Sequence, residues 1–392
     1  MFLETALKRN PKLIETAFKL HSEGLIEPDT YILDLDTILR NAREIKNEAD
    51  KNNIKLYFMT KQFGRNPYIS KELIKLGYEG AVAVDYREAE TLASNGIKLG
   101  HVGHLVQIPK YKIEAILKSK PEFITVYSLE KAKEVSEAAV KLGFTQKIMI
   151  RVIDKGDILY PAQYGGFYLE ELLKAADEII SLPNLKLAGL TSFPCFLYNS
   201  AIGSIKETSN VYTLQKAKKL LEEKLGIKIQ QMNMPSATCC INMDNIARLG
   251  GTHGEPGHGL LGTTPIHAVS EQVERPAIVY VSEISHNLGN ESFCYGGGHY
   301  RRSHMENALV GKSIKDSKKY KVGTLAPESI DYYFTLENKA SVGDTVIMSF
   351  RTQIFVTRSR VAVIKGIQSG KPELVGIYDS QGKLLEGGRL YE

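Results

Sequence analysis

The chain has 392 residues, of which 43% are hydrophobic and 24% are charged, and these values exclude a small binding module, a disordered chain and a collagen-like chain. The net charge of +5 comes from 50 basic and 45 acidic residues without a dense basic block, so a nucleic-acid partner is not indicated. The four cysteines match neither a disulfide framework nor a paired zinc motif, which predicts reduced thiols in the cytoplasm.

Residues 1–30 combine apolar positions with the charged side chains of Glu4, Lys8, Arg9 and Lys12. These charges interrupt any signal-peptide core or membrane span. We therefore expect a helical extension at 1–30 and a cytoplasmic protein without a membrane partner.

Residues 31–265 alternate short apolar runs with amphipathic stretches, which is typical of strand–helix units around a parallel sheet. The predicted strands are Tyr31–Leu35, Lys55–Thr60, Gly80–Val84, His101–Val106, Phe123–Val126, Lys147–Ile153, Leu187–Thr191 and Gln230–Met234. The predicted helices include Asp36–Asn52, Tyr68–Leu76, Tyr86–Asn95, Ser128–Leu142, Leu169–Ser181 and Ser204–Leu225. This pattern favours an α/β fold, a (β/α)8 TIM barrel, over an open doubly wound sheet.

Residues 266–392 lose the helical periodicity and show alternating β-branched runs. The predicted strands are Ala277–Ser285, Thr345–Phe350, Gln353–Ile364 and Glu373–Tyr378. This segment is therefore predicted to be a C-terminal, mostly β domain.

Lys61 directly follows the predicted strand Lys55–Thr60, and the working groups of a parallel barrel lie at the strand C-terminal ends. A lysine delivered there by an apolar strand can be a desolvated amine suited to a Schiff base. A solvated loop lysine is the other interpretation, and this feature alone leaves both open.

Glycines are concentrated in RLGGTHGEPGHGLLGTTP, which ends at Pro265. Such a segment can present successive backbone N–H groups to a phosphate, although glycines also serve ordinary tight turns. The motif PSAT at 235–238 adds the hydroxyl of Ser236. Because phosphate sites recur in the last two loops of such barrels, the two motifs together favour a phosphate site.

These segments resemble the fold type III pyridoxal phosphate enzymes, the alanine-racemase-like group, and most closely its YhfX-like branch. The resemblance runs from about Tyr31 to the C-terminus. It is carried by the order and spacing of YILDLDTILRNAREI at 31–45, Lys61, GAVAVDYREAETLASNGI at 80–97, PSAT and EPGHGLLG.

The resemblance implies a role for each matching residue. Lys61 would hold pyridoxal 5'-phosphate (PLP) as a Schiff base and act as one catalytic base, while Ser236 and the backbone of Gly257 and His258 would bind the cofactor phosphate. Tyr295, in FCYGGGHY at 293–300, resembles the second base, which the β domain of one subunit presents to the other subunit of a homodimer. Tyr300 is close enough in sequence to be confused with it.

Glu255 departs from the racemase pattern, because alanine racemases place an arginine against the pyridine nitrogen at this position. The carboxylate instead resembles the EPGR motif of the basic amino-acid decarboxylases of the same fold. A carboxylate favours the protonated pyridine, which is the stronger electron sink. Racemisation, decarboxylation and retro-aldol cleavage therefore all remain open.

Further departures concern the pocket. Ser192 and Phe193 stand where the racemases place a histidine near the cofactor ring, so Ser192 is expected at the cofactor. The segment 154–166 lacks the racemase arginine that contacts the cofactor phenol oxygen, which leaves Gln163 or Tyr164 as candidates. A standard alanine racemase pocket is therefore not expected.

The β domain contains one loose metal-like grouping, Cys294, His299 and His304. Solvated or hydrogen-bonding histidines are the favoured interpretation, so no metal is expected. Cys294 could imitate the cysteine of the decarboxylases, but Tyr295 replaces the acidic residue that should follow it.

The sequence thus predicts a PLP-dependent isomerase, an amino-acid racemase or epimerase, in which Lys61 and Tyr295 exchange the α-proton from opposite faces. The predicted partners are a small amino-acid substrate and a second copy of the chain. The alternatives are a PLP-dependent decarboxylase or aldolase, a non-catalytic PLP carrier, and a phosphate-binding barrel in which Lys61 is a surface residue.

Overall fold

The computed structural model describes residues 1–389 of the chain. Two compact units are present. The barrel unit comprises Ile45–Thr60 and Ser70–Gly257, and the sheet unit comprises Met1–Glu44, Lys61–Ile69 and the chain from His258 onward. The division into 1–30, 31–265 and 266–392 stays a prediction as a set of domain boundaries.

The strands are β1 Thr30–Asp34, β2 Lys55–Met59, β3 Gly80–Ala83, β4 Leu99–Val102, β5 Phe123–Val126, β6 Gln146–Ile153, β7 Phe167–Tyr168, β8 Leu185–Thr191, β9 Phe196–Asn199, β10 Ser204–Glu207, β11 Gln231–Asn233, β12 His253–Gly254, β13 Ile278–Leu288, β14 Glu291–Tyr295, β15 Asn307–Gly311, β16 Lys318–Lys321, β17 Tyr333–Glu337, β18 Thr345–Met348, β19 Arg360–Lys365, β20 Glu373–Tyr378 and β21 Leu384–Arg389. The α-helices are α1 Phe2–Arg9, α2 Pro11–Ser22, α3 Leu35–Lys51, α4 Pro67–Lys75, α5 Tyr86–Ser94, α6 Ile113–Lys118, α7 Leu129–Leu142, α8 Leu172–Ile180, α9 Ser209–Leu225, α10 Met243–Arg248 and α11 His258–Leu261.

The barrel unit contains a closed parallel barrel. Its strands pair in the order β5-β4-β3-β2-β12-β11-β8-β6, and β6 pairs with β5 to close the ring. Buried apolar residues such as Tyr57, Val82 and Met149 fill it, which explains why its strands read as short apolar runs. The predicted (β/α)8 barrel is therefore confirmed.

The helices of the barrel unit begin and end where their sequence dictates. Asp85 and Ser128 cap α5 and α7 by accepting the backbone N–H of the residue three positions on, which satisfies an otherwise unpaired donor. Helix α7 ends at Leu142 and is followed by the cap residue Gly143, whose left-handed φ of +73° costs glycine little.

The sheet unit is built on a mixed sheet in which the strands pair in the order β16-β15-β18-β13-β1-β19-β20-β21. Strand β14 pairs with both β13 and β17. Helices α1 and α2 cover one face of this sheet with side chains such as Leu13, Ile14 and Phe18, which are fully buried against Val279, Ile347 and other strand residues. The predicted N-terminal helices and mostly β C-terminal segment are both present.

One predicted strand is misplaced and one strand was not predicted. Tyr31–Leu35 was expected to open the barrel, but Thr30–Asp34 pairs with β13 and β19 in the sheet unit. The barrel instead gains β12, a two-residue strand, so Lys61 follows the first barrel strand rather than the second. Strand β1 was misplaced because a buried apolar run has the same pattern in either sheet. Strand β12 was missed because its two residues, the second of them a glycine, are too few to show a strand pattern.

The helix predicted at Ser204–Leu225 is too long, because Ser204–Glu207 forms β10, which pairs with β9, and α9 begins at Ser209. The predicted strand Gln353–Ile364 contains a short 3-10 turn before β19. Among residues 1–389, no helix has the length and apolar character needed to cross a membrane.

Candidate active site

Glu255 follows directly after β12, the last barrel strand, and its side chain is buried. Its backbone N–H donates to Oγ1 of Thr238 at 3.1 Å, which joins the loop after β12 to the loop after β11. The N–H of Met59, the last residue of β2, donates to the carbonyl of Pro256 at 2.9 Å. The EPGH segment is therefore fixed by the strands on both sides of it.

One oxygen of the Glu255 carboxylate, Oε1, is fully engaged. Nδ1 of His101 and Nδ2 of Asn233 each lie 2.7 Å from it, and both must donate because a carboxylate only accepts. Nε2 of His101 pairs with the hydroxyl of Thr125. These partners come from β4, β11 and β5, so closure of the barrel orients the carboxylate.

The other oxygen, Oε2, is buried and has no hydrogen-bond partner within residues 1–389. Nε2 of His104 lies 3.8 Å away. Burial by itself raises the pKa of Glu255, but the charges of His104 and His101 and the hydrogen bonds from His101 and Asn233 lower it to about 2. The carboxylate is therefore ionised at neutral pH and offers one oxygen to a hydrogen-bond donor.

The ligand atoms of His101, His104 and Glu255 lie within 4.8 Å of one another, and residues of these types can hold a metal ion. The loose metal-like grouping in the sequence consisted of other residues, Cys294, His299 and His304. His299 instead lies 3.5 Å from a carboxylate oxygen of Asp331, and His304 is exposed.

Arg151 is a buried cation that sequence reasoning did not select. It lies on β6 with only 1% of its surface exposed, and its Nη1 donates to the hydroxyl of Tyr127 at 2.9 Å. Its Nε and Nη2 have no hydrogen-bond partner in the described part of the chain. A buried guanidinium with unused donors is suited to an anionic group. The available signal was a lone arginine inside the apolar run KIMIRVI.

Ser236 lies in the loop after β11, where Ser236 and Ala237 have consecutive left-handed φ angles of +88° and +47°. Its hydroxyl donates to the carbonyl of Phe196 and accepts the Phe196 N–H at 3.4 Å. Thr238 of the same motif binds the backbone of Glu255. The structure thus brings together the two loops that the sequence selected, while their phosphate role stays a prediction.

Ser192 follows β8 and is fully buried, and its hydroxyl accepts Nδ2 of Asn210 at 3.0 Å. The ring of the next residue, Phe193, packs edge-on against His104 with the ring centres 5.5 Å apart. Gln163 and Tyr164, expected near the cofactor phenol, do not share the burial of Arg151, and Tyr164 is 67% exposed. Gln163 Oε1 is nevertheless a buried atom without a hydrogen-bond partner among residues 1–389, so Gln163 and Tyr164 stay predicted for that contact and Arg151 joins them as a candidate.

Lys61 belongs to the sheet unit and opens a 3-10 turn at Lys61–Phe63, where it is half-buried. In the same unit, the imidazole of His258 pairs with Thr263 Oγ1 at 2.9 Å and Gln353 Nε2 at 3.4 Å. Burial, followed by the charges of Arg351 and Lys61, holds the pKa of His258 well below its usual range. His258 is therefore a neutral residue in a cationic setting.

Tyr295 ends β14, with 37% of its surface exposed and its ring centre 5.9 Å from that of Tyr333. The preceding residue, Cys294, is fully buried, and burial raises the pKa of its thiol to about 12. Adjacent residues of a strand point to opposite faces, so the phenol faces outward while the thiol faces the core. Tyr300, the alternative second base, accepts a hydrogen bond from Nε of Arg302 at 2.9 Å.

Comparisons with known proteins cover almost the whole chain. The family described as "Alanine racemase, N-terminal domain" matches residues 33–265, and "YhfX-like, C-terminal domain" matches residues 279–374. The chain is 45% identical over 389 residues to the "Uncharacterized protein YhfX" of Escherichia coli (strain K12), which covers 98% of this chain and 100% of that protein.

Solved structures share the fold at low sequence identity. An alanine racemase of Clostridium difficile 630 in complex with cycloserine superposes with a TM-score of 0.65 at 20% identity, covering 89% of this chain and 98% of the racemase. D-threonine aldolase from Filomicrobium marinum gives a TM-score of 0.63 at 13% identity, covering 90% of this chain and 94% of the aldolase. The resemblance inferred from the motifs is confirmed: the chain belongs to the alanine racemase family, in its YhfX-like branch.

Proposed function

We propose that the protein is a PLP-dependent amino-acid racemase or epimerase in which Lys61 and Tyr295 act as opposed bases on the substrate α-carbon. The observation that carries this proposal is the arrangement at the end of β14. The phenol of Tyr295 is exposed and free to meet a reacting group, whereas the thiol of Cys294 is buried.

The residues of the barrel unit fit the cofactor. Oε2 of Glu255 is a buried, ionised acceptor without a hydrogen-bond partner in residues 1–389, and it is suited to a protonated pyridine nitrogen. The unused donors of Arg151 are suited to the cofactor's phenol oxygen. Ser236 with the backbone of Gly257, and of the next residue His258, which opens the last part of the sheet unit, would hold the phosphate. When bound, PLP withdraws electrons from the substrate α-carbon, so that a substituent of that carbon can leave without its electrons.

Glu255 determines how strong this electron withdrawal is. Its carboxylate stays ionised because His101 and Asn233 donate to Oε1 and His104 lies near Oε2. An ionised carboxylate favours the protonated state of a hydrogen-bonded pyridine nitrogen. His101 is therefore a positioning residue, since it holds the oxygen that would not contact the cofactor.

Lys61 and Tyr295 would share the movement of the proton. The amine of Lys61 would take or return the α-proton on one face, and the phenol of Tyr295 would do so on the other. Two bases on opposite faces invert the centre. Because Tyr295 is exposed, we propose that a second subunit receives it, which makes the active form a homodimer.

Decarboxylation or aldol cleavage is the second candidate, and the ionised Glu255 favours it as much as racemisation. The decarboxylase version needs a cysteine at the substrate, which Cys294 does not offer because the thiol is buried with its pKa raised to about 12. Racemisation is therefore preferred over decarboxylation.

The test begins with the absorption spectrum of the protein supplied with PLP, before and after borohydride reduction. We expect a reducible band in the wild type that is absent in Lys61→Ala and retained in Lys71→Ala, whose lysine is exposed in the same part of the chain. Peptide mapping after reduction should find the cofactor on Lys61. A panel of amino acids in deuterated solvent then reports α-proton exchange. Release of carbon dioxide or an aldehyde without inversion would select the second candidate, and an unmodified Lys61 would overturn both.

A further inference from the structure

Asp29 lies immediately before β1, in the sheet unit, with a left-handed φ of +60°. Its carboxylate Oδ1 accepts a hydrogen bond from the hydroxyl of Tyr280 at 2.8 Å and another from the hydroxyl of Ser359. Tyr280 lies on β13 and Ser359 precedes β19, the two strands that flank β1. The carboxylate therefore lies beside β13 and next to the first residues of β1 and β19.

The glycine triplet Gly296–Gly298, which follows Tyr295, lies directly on this carboxylate. A Cβ at Gly297, where φ is +133°, would overlap both oxygens of Asp29. A Cβ at Gly298 would overlap the ring of Tyr280 and lie 3.0 Å from the hydroxyl of Ser359. Only glycine permits this approach, so the triplet and Asp29 form one packed unit.

Hydrogen bonds fix the triplet at both ends. The carbonyl of Tyr295 accepts from the hydroxyl of Ser282 at 2.6 Å, and the hydroxyl of Tyr280 lies 3.5 Å from the same carbonyl. The hydroxyl of Tyr31 donates to the carbonyl of Gly298. The single hydroxyl hydrogen of Tyr280 goes to Asp29, so Tyr280 meets the segment of Tyr295 by packing: its oxygen approaches the Tyr295 carbonyl and its ring lies against Gly298.

We propose that Asp29 is a positioning residue that holds Tyr295 in place through Tyr280 and the glycine triplet. The catalytic consequence of this role rests on the proposed function, in which Tyr295 is the second base, whereas the structural consequence does not. Asp29 precedes the first strand and lies more than 260 positions before Tyr295. A substitution at Asp29, far from Tyr295 in sequence, would therefore loosen the position of Tyr295.

The groups around Asp29 set the protonation of its carboxyl group. Tyr280 faces it from β13, Tyr31 lies two residues further on in β1, Arg358 is a nearby cation, and Cys294 lies near Tyr280. Burial raises the pKa of Asp29 to about 6, against the lowering effects of Ser359, Tyr280 and Arg358. Both protonation states can accept the two hydroxyl hydrogens, so the anchor persists across neutral pH.

The test compares Asp29→Ala and Asp29→Asn by hydrogen–deuterium exchange of the cofactor-free full chain. The reporter is the amide of Gly296, which donates to the carbonyl of Tyr332 at 2.8 Å. We expect Asp29→Ala to speed its exchange by about ten-fold or more, and Asp29→Asn to do so less, because its amide oxygen still accepts. The control is Asp316→Ala, which removes a turn carboxylate that accepts the N–H of Ser313 at 2.6 Å elsewhere in the same unit, and should leave Gly296 unchanged.

Should Asp29→Ala fail to fold, Tyr280→Phe tests the same connection, because it removes the hydroxyl between Asp29 and Tyr295. Unchanged exchange at Gly296 in every folded variant would overturn the role. In the PLP-loaded protein, with the amino acid that the wild type exchanges fastest, Asp29→Ala should slow α-proton exchange from one enantiomer as Tyr295→Phe does. If Gly296 is loosened while neither variant changes exchange, Asp29 holds the segment but the proposed role of Tyr295 fails.

Discussion

His101 Nδ1 lies 2.7 Å from Oε1 of Glu255, and the two residues are buried together. They are 154 positions apart in the sequence, yet one fixes the orientation and the charge of the other. The other oxygen, Oε2, is consequently a hydrogen-bond acceptor held in a fixed orientation.

Glu255→Gln should weaken PLP binding and slow α-proton exchange by about 10- to 100-fold, because a hydrogen bond to a charged partner is worth about 1.5–3 kcal/mol. Absorption titration with PLP and deuterium incorporation measure the two effects. Glu274→Gln is the matched control, since Glu274 is another buried glutamate, 3.2 Å from Nε2 of His267. Equal losses in both variants would show that Glu255 acts only on stability.

Arg151→Met should lower the affinity for PLP by about ten-fold or more without destabilising the cofactor-free protein. A buried guanidinium with two unused donors costs desolvation energy that methionine avoids. Urea unfolding without PLP and equilibrium dialysis with PLP separate the two effects, and Arg248→Met serves as an exposed control. Affinity equal to that of the wild type would remove Arg151 from the cofactor site.

Tyr295→Phe should abolish proton exchange on one face only, so that exchange starting from one enantiomer falls by about 100-fold or more and exchange from the other persists. Proton NMR of each enantiomer in deuterated solvent measures this. Tyr333→Phe is the matched control, because Tyr333 is a neighbouring tyrosine with 41% of its surface exposed. Full two-way racemisation by Tyr295→Phe would refute the assignment of Tyr295.

Cys294→Ala should leave α-proton exchange unchanged and destabilise the fold by about 1–2 kcal/mol, because it removes a buried sulfur from the core. Urea denaturation and the exchange assay check both parts. A variant that folds normally but loses carbon dioxide release present in the wild type would favour the decarboxylase alternative.

Asp29→Asn should change how stability depends on pH. In the folded protein the pKa of Asp29 is raised from 3.8 to about 6, so between these values the unfolded chain loses its proton first and unfolding of the wild type becomes more favourable as pH rises. The free energy of unfolding of the variant, measured relative to that of the wild type, should therefore rise by at most about 3 kcal/mol between pH 4 and 6.5. Above pH 6.5 this difference should stay constant. Urea unfolding across this range measures the difference, and a constant difference would contradict the raised pKa.

Much of the fold was predictable because its signals are local. Short apolar runs separated by amphipathic helices predicted the barrel, and Asp85 and Ser128 mark helix starts. Strand β1 was misplaced because an apolar run such as Tyr31–Leu35 reports burial but not the neighbours that it pairs with. Strand β12 was missed because two residues are too few to show an apolar run or an alternation of apolar and polar residues.

By itself, the sequence determined the family, the lysine after an apolar strand, the glycine-rich loops and the glutamate within them, since each of these is carried by residues close together in the chain. Only the tertiary structure decided which oxygen of Glu255 is left free, that Arg151 has unused donors, and that Asp29 lies beneath the segment of Tyr295. Those relationships join residues from distant strands, and strand pairing and burial, rather than spacing along the chain, determine which polar atoms find a partner.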